Sequence, residues 1–105
     1  MEDKLLKFKS FADFYPYYLR EHNNLMCRRL HFIGTSFVLA AAAGFFVTGE
    51  LPLLIVLPVA GYGFAWYGHF VYEKNKPASF KFPLYSLMGD FKMFWDILSG
   101  KLKAF

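Results

Sequence analysis

Three histidines, His22, His31 and His69, are all the imidazoles in a chain of 105 residues. A neutral imidazole is a good ligand for iron, zinc or copper, and three of them fill one face of a coordination sphere while leaving other positions open. Their placement is what draws attention. His31 lies nineteen residues before Glu50, and His69 lies nineteen residues after it. If Glu50 marks the turn of an antiparallel helical hairpin, equal distance from the turn means equal depth, so the two rings stand level. Glu73 is four residues beyond His69, on the same helical face, where a carboxylate serves either as a further ligand or as a hydrogen-bond partner of the imidazole. Asp90 is placed to approach from the last helix. A competing reading treats each histidine as an interfacial side chain with a wet tip, and Glu73 as a solvated helix end. The histidine count limits any metal chemistry to one ion per chain, and the lone Cys27 admits no intrachain disulfide.

The elements that must carry these residues are two apolar runs. Phe32 to Thr48 spans 17 residues and Leu51 to Tyr72 spans 22, with no formally charged side chain in either when His69 is neutral. Such lengths cross a hydrocarbon core of ~30 Å at ~1.5 Å per residue, and in lipid the backbone must satisfy its own hydrogen bonds, so both runs are expected to be helices. Hydrophobic residues make up 56 % of the chain, charged residues 19 % and aromatics 22 %, a membrane-protein balance. Of the twelve Lys and Arg, six precede the hairpin and six follow it, while the turn has none. The positive-inside rule then puts both termini in the cytoplasm, of a bacterial inner membrane or of the endoplasmic reticulum. No cleavable signal peptide is expected, because the first apolar run lies too far from Met1. No basic stripe is interleaved with base-stacking aromatics, which argues against nucleic acid.

The expected fold is all-α: one integral membrane domain over 1–105, with a two-helix transmembrane hairpin (31–48 and 51–72) flanked by amphipathic interfacial helices (10–29 and 83–98). Ser10 to Asp13 has the shape of a capping box. The stripe Phe11, Tyr15, Tyr18, His22 and Leu25 suits a helix lying in the interface plane, with Pro16 kinking it or marking its first turn. His22 and His31 are nine residues apart and would point in opposite directions on one unbroken helix, so a shared site requires a bend, expected at Asn23-Asn24. Small residues (Gly34, Thr35, Ala41, Ala42; Gly61, Ala65, Gly68) favour close approach of the two spans. The last helix has an apolar side of Leu84, Leu87, Met88, Phe91, Trp95 and Leu98, and is expected to cover the histidine end.

Tyr18-Leu-Arg-Glu-His22-Asn-Asn24, Arg28-Arg-Leu-His31-Phe-Ile-Gly34-Thr35 and Gly61-Tyr-Gly-Phe-Ala-Trp-Tyr-Gly-His69-Phe form one signature, continued by Glu73-Lys-Asn75-Lys-Pro77-Ala and Pro83-Leu-Tyr-Ser-Leu-Met-Gly-Asp90. It resembles the small membrane proteins related to the fungal 2-hydroxy-palmitate dioxygenase, over about residues 14–95. The resemblance implies an Fe(II)-dependent enzyme of fatty-acid α-oxidation that uses dioxygen to shorten a 2-hydroxy fatty acid by one carbon. The family's histidines map onto His22, His31 and His69 as metal-holding and catalytic residues. Glu73, Asp90 and Asn24 become candidates for an extra ligand or an outer hydrogen-bonding partner, and Arg28, Arg29 and Tyr18 candidates for substrate contact. Two rival readings are a non-catalytic membrane module whose small-residue faces build a homo-oligomer, and a membrane enzyme that uses zinc.

Overall fold

A computed structural model describes residues 8–105; the charged lead before them, including Lys4 and Lys7, lies outside the described residues. Among the described residues four α-helices follow one another: α1 (Phe11–Glu21), α2 (Leu25–Thr48), α3 (Leu53–Tyr67) and α4 (Pro83–Leu98). A π-helical turn over Gly68–Glu73 extends α3, and a 3₁₀ turn over Ala78–Phe80 leads into α4. The described residues contain no strand.

Local chemistry explains where the helices begin and end. Ser10 Oγ accepts the Asp13 N–H at 3.2 Å and so caps α1. The expected helix over 10–29 is cut short at Glu21, and α2 begins six residues before His31 instead of at it. Asn24 causes the break: its backbone is extended, and its Oδ1 accepts from the N–H groups of Met26 at 2.8 Å and Cys27 at 3.3 Å. The bend between His22 and His31 therefore falls where the asparagine pair stands, and Arg28 and Arg29 belong to α2. At the far end Gly49, with φ of 71°, closes α2 in the left-handed conformation that glycine adopts at no steric cost.

α2 and α3 form the hairpin, in antiparallel register: Gly44 lies against Leu53, Gly61 against Val38, and Gly68 against Cys27. The small residues set the spacing. A Cβ on Gly34 would fall 2.8 Å from the Ala60 carbonyl oxygen, so any larger residue there would push the helices apart. Leu25–Thr48 and Leu53–Glu73, 24 and 21 residues, are long and apolar enough to cross a membrane. Phe46, Val47, Ile55 and Val59 stand on their outer faces, exposed.

The flanking helices face differently from the simple amphipathic expectation. Tyr15 and Tyr18 of the α1 stripe turn inward, and Phe14, which lies outside the stripe, is fully buried with them. Together with Ala78, Phe82 and Met93 they form the aromatic core of this end. α4 presents Ser86, Gly89, Met93 and Asp96 to that core, while Leu84, Leu87, Met88, Phe91, Trp95 and Leu98 face outward. Small and polar residues point in because the bulk is supplied from α1: a Cβ on Gly89 would fall 2.8 Å from the Tyr18 ring. The clasp between α1 and α4 also has a polar side. The Tyr15 hydroxyl donates to Asp96 Oδ2 at 2.8 Å, and Lys92 Nζ lies 3.4 Å from the other carboxylate oxygen.

Candidate metal centre

Three separate segments deliver the three imidazoles. His22 caps the C-terminus of α1, His31 stands two turns into α2, and His69 lies in the π-helical turn. All three are buried, with 1 %, 4 % and 1 % of their surface exposed. His22 Nε2 is 3.1 Å from His31 Nε2 and 2.9 Å from His69 Nε2, and one ligand atom from each ring lies within 4.8 Å of the others.

The opposite nitrogens decide the tautomers. His22 Nδ1 lies 2.6 Å from the Tyr18 carbonyl oxygen and His31 Nδ1 2.8 Å from the Cys27 carbonyl oxygen; a carbonyl only accepts, so both Nδ1 atoms carry the hydrogen. His69 Nδ1 is 2.7 Å from Asn75 Oδ1. The Asn75 amide is oriented by its Nδ2, which donates to the Glu21 carbonyl at 3.2 Å, so its oxygen must face the ring. Every Nδ1 thus donates outward, and every Nε2 presents a bare lone pair to the other two. Two acceptors about 3 Å apart with no hydrogen between them repel, and a cation placed among them turns the repulsion into coordination. Bonds from imidazole to a metal such as zinc are about 2.0–2.1 Å, so one ion can bridge nitrogens up to about 4 Å apart. The donor set therefore fits a small transition-metal ion.

Burial holds the His22 ring well below the ordinary histidine range, and the adjoining His31 and His69 add to the effect, which keeps this imidazole neutral. Tyr18 stacks on His22 with ring centroids 3.9 Å apart and planes 22° from parallel. Its hydroxyl donates to Asp90 on α4. Burial pushes the Asp90 carboxyl up to about 7, against the opposing pull of that hydrogen bond. The three rings, Tyr18, Ser86 and Asp90 line a chamber of about 10 Å³, room for roughly one water-sized group.

The chain matches, over residues 8–102, the family model described as 2-hydroxy-palmitic acid dioxygenase Mpo1-like. It belongs to that family. No curated protein and no solved structure matches it significantly. The resemblance drawn from the histidine-bearing segments is borne out, and the match extends beyond both of its expected ends.

Within this Mpo1-like chain the other candidate residues take different places. Glu73, expected beside His69, accepts a hydrogen bond from the Asn24 backbone N–H at the start of α2. The π-helical turn is the reason, because its i→i+5 winding puts more residues in each turn and abolishes the four-residue alignment that a regular helix would give. Asn75 takes the imidazole instead, two residues further on, after Lys74 turns the backbone into the left-handed region. Asn24 is a helix cap and does not line the chamber. Arg28 donates to the His22 carbonyl at 2.7 Å and to the Lys103 carbonyl at 3.0 Å, and Arg29 donates to the Ala104 carbonyl. Both guanidinium groups thus serve the backbone, and neither lines the chamber. Asn75 and Ser86 are the residues that reasoning from spacing missed.

Proposed function

We propose that this protein is an Fe(II)-dependent dioxygenase that shortens 2-hydroxy fatty acids by one carbon at the lipid–water boundary, with both termini cytoplasmic. The observation that carries the reading is the convergence of three bare Nε2 lone pairs, each locked in place by an outward Nδ1 hydrogen bond. His22, His31 and His69 would hold the metal. Three protein ligands leave positions for others, as non-haem iron oxygenases require. Fe(II), when bound, supplies the one-electron chemistry that lets dioxygen react with a closed-shell acid.

The chain's own residues do the rest. Tyr18, Cys27 and Asn75 fix the ring orientations, and hydrogen bonds of this kind also raise the basicity of the ligating nitrogen. Tyr18, which lines the chamber, is fully buried, as are Phe14 and Met93 in the aromatic core beside it. The family's description names the substrate class. Such a molecule places its polar head at the interface and its tail in hydrocarbon, which matches a site at one end of two spanning-length helices. Arg28, Arg29, Lys74 and Lys76 gather at that same end while the far turn carries only Glu50, in keeping with a cytoplasmic face.

Elemental analysis of the purified protein, paired with oxygen uptake on 2-hydroxyhexadecanoate, tests the reading. We expect one iron per chain and formation of an acid one carbon shorter. His31→Ala and His69→Ala should each lose bound iron and lower turnover at least a hundredfold. Stoichiometric zinc without oxygen uptake, or full activity in either variant, would overturn the assignment.

A further inference from the structure

The hydroxyl of Ser86 is the unexplained polar group of the chamber. Ser86 is 3 % exposed, and its Oγ has no hydrogen-bond partner among the described residues. A serine within a helix usually turns its hydroxyl back to the carbonyl one turn earlier. Here that carbonyl, on Phe82, accepts the Ser86 backbone N–H at 2.8 Å, and the hydroxyl does not join it. A buried hydroxyl left without a partner is unfavourable. Ser86 instead lines the space shared with His22, His31 and His69, one helical turn before Asp90. The hydrogens of Tyr18 and of the three imidazoles are already directed elsewhere, to Asp90 and to the Nδ1 acceptors. The hydrogen of Ser86 is not.

The chamber itself is too small for more than the tip of a ligand. A second space adjoins it, an apolar groove of about 290 Å³ walled by Val38, Leu57, Pro58, Leu87 and Phe91. Tyr62 and Asp90 line both, so they mark the junction. A small chamber bordered by polar side chains, beside a larger apolar groove, suits an acid with a hydrocarbon tail.

We propose that Ser86 positions the polar head of the fatty acid by donating its hydroxyl to a head-group oxygen, while the acyl chain leaves past Tyr62 and Asp90 into the groove between α3 and α4. This assignment rests on the reaction proposed above and adds the residue and the route by which the substrate is held. Ser86 is a positioning residue, which makes its signature a loss of binding with the metal retained.

Iron-loaded protein in lipid nanodiscs, kept under argon, is titrated with radiolabelled 2-hydroxyhexadecanoate, and KM and kcat are then measured in air. Ser86→Ala should weaken binding and raise KM about tenfold, the value of one hydrogen bond to a charged group, with iron content unchanged. Ser86→Thr, which keeps the hydroxyl, should bind within about threefold of the unaltered protein. Leu57→Trp, which narrows the groove, should weaken binding of the hexadecanoate far more than that of 2-hydroxyoctanoate. Equal binding by Ser86→Ala and the unaltered protein would overturn the proposal, showing that the hydroxyl meets only water. Loss of iron from Ser86→Ala would overturn it too, by making Ser86 part of the histidine scaffold. Should the unaltered protein bind the acid through Ser86 yet consume no oxygen, the reaction fails and the binding site stands.

Discussion

The chemistry of this protein turns on where three hydrogens sit. Each imidazole donates from Nδ1 to an oxygen that can only accept, which forces the lone pairs of all three Nε2 atoms into one small space. Two of those acceptors are backbone carbonyls and no substitution removes them. Asn75 is the one side chain in the set, and its amide is itself held by the Glu21 carbonyl. Asn75→Ala is therefore expected to lower metal affinity by about ten- to a hundredfold, measured by competition with a chelator. Asn75→Asp, which keeps an acceptor, should recover most of the loss. Unchanged affinity in Asn75→Ala would show that the ring orients itself. At this scale the histidines were legible in the sequence because imidazoles are few and chemically unambiguous. Asn75 was not, since its role depends on a backbone irregularity that no side-chain pattern announces.

At the scale of the elements, the site depends on α4 being clasped to α1. Tyr18 stacks on His22 and reaches Asp90, Gly89 makes room for it, and Tyr15 bonds to the buried Asp96 further along. Tyr15→Phe should destabilise the fold by about 1–2 kcal/mol, because one buried carboxylate oxygen loses its donor. The same contact has a pH signature. Burial and then the bond to Asp96 raise the Tyr15 hydroxyl above its usual 10.0, so the folded chain keeps this proton where the unfolded chain releases it. The stabilisation is present below about pH 10 and falls as pH rises towards the folded value. Tyr15→Phe should show a shallower alkaline decline, measured by thermal unfolding in detergent between pH 8 and 11. An identical decline would assign it to other groups. The limits of α4 could be read from Pro83 and the apolar spacing, as could the bend at the asparagine pair. Its facing could not, because a hydrophobic pattern shows which side is apolar without saying whether protein or lipid covers it.

Taken whole, the molecule is a hairpin whose open end is closed by a short helix, a wide turn and a covering helix, all meeting at three rings. An ion bound there as proposed would tie α1, α2 and the π-helical turn together, so binding and folding should be linked. Free Fe(II) or Co(II) at a hundred times its dissociation constant is expected to stabilise the fold by about 2.7 kcal/mol, seen as a rise in the thermal midpoint. His69→Ala should abolish the rise, and an unshifted midpoint in the unaltered protein would deny the linkage. The groove beside this centre has a different consequence. Its walls are mostly apolar side chains of two spanning-length helices and of α4, so an acyl ligand held there as proposed would enter from surrounding hydrocarbon. The quantity that governs occupancy would then be the ligand's mole fraction in two dimensions, and a surfactant with a long alkyl tail would compete for the slot proposed for the substrate.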